Sequence, residues 1–148
     1  MPTHYAGAAD DIRALNAYIK LQRAAESVLQ RTSAHLAAHN LSLSQFAVLE
    51  ALYHLGTLSQ ITLAAKLLKS TGNISSVLKT CEKHGLITRE RDPHDNRVMQ
   101  VRITAHGRAL LESILPAHIA GICAAMSVLS PAEQDTLGAL CKRLGLGG

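Results

Sequence analysis

The sequence predicts a mainly α chain with one small two-stranded β-hairpin, on two observations. Apolar residues recur at helical spacing over most of the 148 positions, and only Leu86 to Thr104 changes to the alternation of extended chain.

Residues 10–38 contain neither Pro nor Gly and carry Leu15, Tyr18, Leu21, Ala25, Val28, Leu29 and Leu36, which predicts one long helix. His39-Asn40-Leu41-Ser42 breaks it, and Ser44 is placed to cap a second helix through Phe46, Leu49, Leu52 and Tyr53 that stops at Gly56. A Thr57–Gln60 link leads to a helix of barely two turns through Ile61, Ala64, Leu67 and Leu68. Lys69-Ser70 connects it to a helix starting at Ser70 or Thr71, with Ile74, Val77, Leu78 and Cys81 on one stripe and Gly85 past its end. Leu86–Arg91 and Val98–Thr104 read as strands; Met99, Val101 and Ile103 share one face of the second. The six residues between them, Asp92-Pro93-His94-Asp95-Asn96-Arg97, exceed a tight turn and predict a flexible, charged tip. Thr104 caps a long helix, bent or interrupted near Pro116. Ser130-Pro131-Ala132-Glu133 then combines a cap, a proline at the first helical position and a capping-box glutamate.

At 47% apolar and 18% charged residues, the chain has the balance of one globular unit, and disorder is not expected. Its aromatics are only Tyr5, Tyr18, Phe46 and Tyr53, which argues against modules that stack single-stranded bases on aromatic platforms. The net charge of +4 is unevenly placed: residues 62–108 hold nine basic and four acidic side chains, a net +5, and the remainder is −1. A polyanion-binding surface requires that concentration. Three cysteines without CxxC spacing favour neither a disulfide framework nor a zinc ribbon, and the N-terminus lacks the basic start and apolar run of a secretory signal. A reduced, cytoplasmic protein is expected. Residues 113–132 carry no formal charge, but Pro116, His118, Gly121, Ser127, Ser130 and Pro131 argue against a membrane span and favour a helix covered by protein.

Two short helices joined by a tight polar turn, followed by a hairpin with a basic loop, define a winged helix-turn-helix arrangement over residues 44–108, with 10–38 and 105–146 left as dimerisation helices. The second helix of such a motif enters the major groove, where all base pairs are distinguishable. Ser70, Thr71, Asn73, Ser75, Ser76 and Lys79 would form its polar face. Asn can read adenine bidentately, Lys can reach guanine or phosphate, and Ser and Thr can bond either. Arg97 in the loop suits a narrow, negative minor groove, and Arg89 adds a cation on the first strand. Capping alone would explain Ser, Thr and Asn at a helix start; it would not explain why the excess charge collects there.

The stretches Leu63-Ala64-Ala65-Lys66-Leu67-Leu68, Ser70-Thr71-Gly72-Asn73-Ile74-Ser75, Glu82-Lys83-His84-Gly85-Leu86-Ile87-Thr88-Arg89, Asp92-Pro93-His94-Asp95-Asn96-Arg97 and Ile103-Thr104-Ala105-His106-Gly107-Arg108 resemble the MarR family of transcriptional regulators, with matching order over about 60–108. The resemblance implies a homodimer with interlocked terminal helices, two winged units on a pseudo-palindromic operator, and repression relieved by a small molecule. It implies that Arg97 is the minor-groove contact of a wing Asp-x-Arg and that Asp95 positions it; Asn96 stands where many members have a further arginine. It also implies an effector crevice where the first, second and fifth helices meet the winged part, with Tyr18, Phe46, Tyr53 and His54 as candidates. Ordinary core packing is the competing reading of those aromatics. The wording from Leu68 to Ile74 is similar to members that respond to phenols and quinones, which points to a small aromatic or phenolic ligand.

His35/His39 and Glu50/His54 lie four apart, a spacing that can share a metal, but eight histidines make chance pairs common and no metal or other cofactor is expected. Cys81, Cys123 and Cys141 fall on apolar stripes, where a thiol is usually an inert small hydrophobe; redox sensing would need a depressed pKa, for which Lys83 and His84 beside Cys81 are the local argument. Metal- or thiol-responsive regulation and a non-catalytic protein-interaction dimer are the alternatives. No Walker, GxGxxG, HExxH or GxSxG pattern occurs, so an enzyme is not expected.

Overall fold

The computed structural model describes residues 2–67 and 69–147, apart from the side chain of Thr71. Leu68, part of the predicted third helix, lies outside the described residues. The order is α1 (Ala9–Ser33), a 3-10 segment (Ala34–His39), α2 (Leu43–Leu55), β1 (Leu58–Ser59), α3 (Gln60–Lys66), α4 (Thr71–Lys83), β2 (Ile87–Arg91), β3 (Met99–Ile103), α5 (Ala105–Met126) and α6 (Pro131–Leu146). The chain divides into two compact units, one of residues 35–117 and one of residues 1–34 with 118–148.

The 35–117 unit is built on a core that includes Leu49, Leu52, Leu63, Ile74, Leu78, Val101, Leu111 and Ile114. α2 is capped two residues earlier than expected, at Ser42: the Ser42 hydroxyl accepts from Gln45 N and the Gln45 side chain accepts from Ser42 N. The reciprocal box satisfies two orphan helix donors, an advantage that a Ser44 cap would lack. The predicted first helix likewise ends early. Its last residues tighten into 3-10 geometry, closed by Asn40 at φ 56° and by Leu41 N donating to Leu36 O.

α4 is capped by Ser70, whose hydroxyl accepts from Asn73 N, and buries Ile74, Leu78 and Cys81 completely. Truncating Leu78 to Ala would cost about 2–5 kcal/mol. Gly85, at φ 72°, ends the helix: Gly85 N donates to Glu82 O and Leu86 N to Cys81 O, the paired bonds of a Schellman motif. The sheet has three strands rather than two, in the order β1-β3-β2, all antiparallel. The segment expected as a plain link pairs Leu58 with Val101 and Ser59 with Gln100. Two residues are too few for an alternation signal, so only the partner strand discloses them.

Thr104 caps α5 as expected, its hydroxyl accepting from Gly107 N while donating to Gly85 O at 2.7 Å. Pro116 lies within α5, which continues as one helix to Met126 instead of being interrupted. By length and composition α5 could cross a membrane, with a mean hydropathy of 1.6 in its most apolar window.

In the other unit α6 begins at the anticipated Ser130 capping box with Pro131 in the first turn. The Gln134 amide donates to Met126 O and Leu129 O, closing the α5–α6 turn. Among the described residues this unit buries no apolar side chain; Thr32 and His118 are its buried residues, while Tyr18, Ile119, Leu140 and Leu144 are each more than half exposed.

Candidate DNA interface

The face of α4 opposite its buried stripe is polar. Asn73, Ser76 and Lys79 are exposed and Ser75 is half-buried, so the apolar periodicity that docks the helix also fixes which residues face outward. Ser70 spends its hydroxyl on the cap and Thr80 bonds back to Ser76 O, leaving Asn73 and Lys79 as the long polar side chains of the face. The side chain of Thr71 lies outside the described residues.

The loop between β2 and β3 is braced by hydrogen bonds, in contrast to the loose tip predicted. Asp92 is the hub: one carboxylate oxygen accepts from His94 N at 2.7 Å and Asp95 N at 3.2 Å, and the other accepts from the Gln100 amide at 3.0 Å. The Gln100 bond, then the His94 amide, holds the Asp92 carboxyl below the usual carboxylate range. Arg91 donates to Asn96 O, and Asp92 N to Val98 O. Sequence reasoning missed this hub, although Asp-Pro followed by a free amide is the signal of a side chain that bonds the backbone two residues on.

At the end of the loop, Asp95 accepts from Arg97 three times, from Nε at 3.0 Å, Nη2 at 3.2 Å and the backbone N at 3.0 Å. The Arg97 side chain is 90% exposed, so the pair points a preset guanidinium into solvent. The side-chain bond from Arg97, then its backbone amide, lowers the Asp95 pKa. Arg89 has a different setting. Only 18% of its side chain is exposed, and Nη2 donates to Glu82 at 3.2 Å, tying β2 to α4.

Of the four ligand candidates, Phe46, Tyr53 and His54 belong to the 35–117 unit, where Tyr53 packs against the core that holds Phe46. Phe46 is a core residue, Tyr18 is exposed on α1 in the other unit, and His54 meets Tyr53 edge to face at 5.1 Å. The Arg108 guanidinium covers the Tyr53 ring at 5.1 Å. Among the described residues no group of three or more His, Cys, Asp or Glu is arranged to hold a metal. Burial pushes the Cys81 thiol up to about 11, the opposite direction from a redox-sensing thiolate, while Cys123 and Cys141 are exposed.

A capped helix with a polar outer face, a preceding short helix and a braced, arginine-tipped hairpin define a winged helix-turn-helix transcriptional regulator. The MarR family model matches residues 41–99. The HTH-type transcriptional regulator MhqR of Bacillus subtilis is 37% identical over 134 residues, covering 90% of this chain and 92% of MhqR. The chain belongs to the MarR family. Its fold matches Staphylococcus aureus MepR, solved as a DNA complex, at a TM-score of 0.80 and 22% identity over 89% of this chain and 97% of MepR. It also matches Bordetella bronchiseptica BpsR, whose DNA binding is regulated by 6-hydroxynicotinic acid, at a TM-score of 0.79 and 23% identity over 98% of each chain.

Proposed function

We propose that this regulator acts as a cytoplasmic homodimer on double-stranded DNA, with α4 in the major groove and Arg97 in the flanking minor groove of a pseudo-palindromic operator, and that a small aromatic or phenolic ligand releases it from repression. The observation that carries the DNA reading is the pairing of an exposed Asn73, Ser76 and Lys79 face with an outward, Asp95-held Arg97 in the unit that holds the +5 block. MepR, of the same fold, has been solved on DNA. Ser70, Thr71 and Ser75, at the start of the same helix in the sequence, are the further candidates for phosphate contact. Arg89 supports the wing through Glu82 and adds positive potential.

The dimer reading is supported by the unit of residues 1–34 and 118–148, in which none of the described apolar side chains is buried. So large an apolar exposure marks an interface. A two-fold dimer sets half-sites about one helical turn, roughly 10 base pairs, apart or a multiple of it. Ligand release is supported by the regulation of BpsR by an aromatic acid and by Tyr53 and His54, which offer a ring and a partly accessible polar edge. The test is retention of genomic DNA by the purified protein. Binding at ~50 mM salt that falls steeply as salt rises is expected, because each neutralised phosphate releases counterions. No retention at that salt overturns the reading.

A further inference from the structure

The 35–117 unit holds four glycines, and the fold accounts for three of them. Gly56 and Gly85 sit at φ 79° and 72°, in the left-handed region that other residues rarely adopt, and Gly107 lies where a Cβ would overlap the Leu86 carbonyl. Gly72 has neither reason. Its backbone is ordinary right-handed helix, and a Cβ there would meet no described atom within 4 Å apart from its chain neighbours and the backbone of its own helix.

Within the free protein that glycine is unfavourable. It is the second residue of α4, and the helix is regular on either side of it: Ser70 Oγ accepts from Asn73 N at 3.2 Å, and Ile74 N donates to Ser70 O at 3.0 Å. Glycine in a helix is less stable than alanine because it surrenders more backbone freedom on folding. Alanine here would keep the same φ and meet nothing, so no contact of the glycine offsets the difference.

The missing side chain falls on the outward row of the helix. Ser76 and Lys79 follow Gly72 at i+4 and i+7, so the three share one face of α4, all exposed, with Asn73 beside them in the same first turn. The DNA reading puts this face in the major groove, where the N-terminal residues of a recognition helix meet the base edges. A bare Cα lets the backbone approach the groove floor more closely by about the depth of one methyl group. Asn73 needs that approach, because its amide must come within hydrogen-bond range of a base to read it.

We propose that Gly72 is a specificity-determining residue of α4, whose lack of a side chain lets the first turn seat against the base edges at the distance Asn73 needs. The inference rests on the DNA-binding reading above. Its test compares the full-length parent with Gly72→Ala and Gly72→Leu, in urea unfolding and in binding to two duplexes: a site recovered from the genomic fragments that the parent retains, and a scrambled version of it. Alanine and leucine are both good helix formers, so the urea midpoints should equal the parent's or exceed it. Binding to the recovered site should fall about tenfold for Gly72→Ala, within the range of one lost bidentate base contact, and further for Gly72→Leu. Binding to the scrambled duplex at ~50 mM salt should change by less than about twofold, since phosphate contacts dominate there.

A lowered midpoint for Gly72→Ala would show that the glycine serves the fold, and overturns the inference. A loss of equal size on both duplexes overturns it too, because a clearance for reading bases acts on the recovered site alone. If the parent binds and the variants bind that site as tightly, the inference falls while the DNA reading stands. If the parent retains no genomic DNA, both fall together.

Discussion

Gly107 stands so close to the carbonyl oxygen of Leu86 that a Cβ on it would overlap that atom and crowd the Ile103 side chain. The neighbour is backbone, held by Thr104 N, and cannot swing aside as a side-chain tip would. Gly107→Ala should therefore destabilise the winged unit by about 1–3 kcal/mol, the usual range for overpacking. Urea unfolding measures this, and an unchanged midpoint would show that α5 and the α4–β2 turn are not in close contact.

Arg97 and Lys79 should fail in different ways. Arg97→Ala removes the outward guanidinium of the wing and should cost about 1–3 kcal/mol on the best site while relaxing preference at an A/T-rich flank. Lys79→Ala should weaken every DNA sequence alike and reduce the salt slope by about 1, as loss of one phosphate contact does. Salt-dependent binding curves on matched and scrambled sites separate them. A uniform loss for Arg97→Ala would refute readout of groove shape.

Ile119 is 54% exposed on α5, in the unit where no described apolar side chain is buried. Ile119→Asp would place an unpaired carboxylate in the proposed interface, with a penalty of about 3 kcal/mol or more in each protomer. Sedimentation should show monomers, and operator binding should disappear with them. A persistent dimer would relocate the interface.

The wing should resist acid. Asp92 and Asp95 have folded-state pKa values below the ordinary one, so the order they impose is fully present above the unfolded carboxylate range and is lost as pH falls through the depressed folded values. The side-chain carboxyl carbon resonances of Asp92 and Asp95 should stay constant from pH 7 down to about 4 and move only below it. Movement centred at or above the ordinary Asp value would contradict the Gln100 and Arg97 contacts as the cause.

Much of this architecture was legible because it rests on local chemistry. Ser130-Pro131-Ala132-Glu133 specifies a helix start by itself, Gly85 its αL exit, and Ile74, Leu78 and Cys81 a buried stripe that leaves Asn73 and Lys79 outside. The elements that were not legible depend on distant partners. β1 exists because Val101 and Gln100 are there to pair with it, and the order of the wing depends on Gln100, eight residues from the Asp92 it bonds. Arg89 counts as a cation in any charge tally, yet its pairing with Glu82 requires knowing that β2 folds back on α4.

The pairing of Leu58 and Ser59 with β3 has a consequence for the proposed operator. Because the segment entering α3 is stitched to the strand leaving the wing, the two DNA contacts proposed for one protomer, α4 and Arg97, keep a fixed interval. Within each half-site, inserting a single base pair between the bases under α4 and the flank under Arg97 would put one of them out of phase. Operators should therefore tolerate base changes at the flank far better than changes in its spacing.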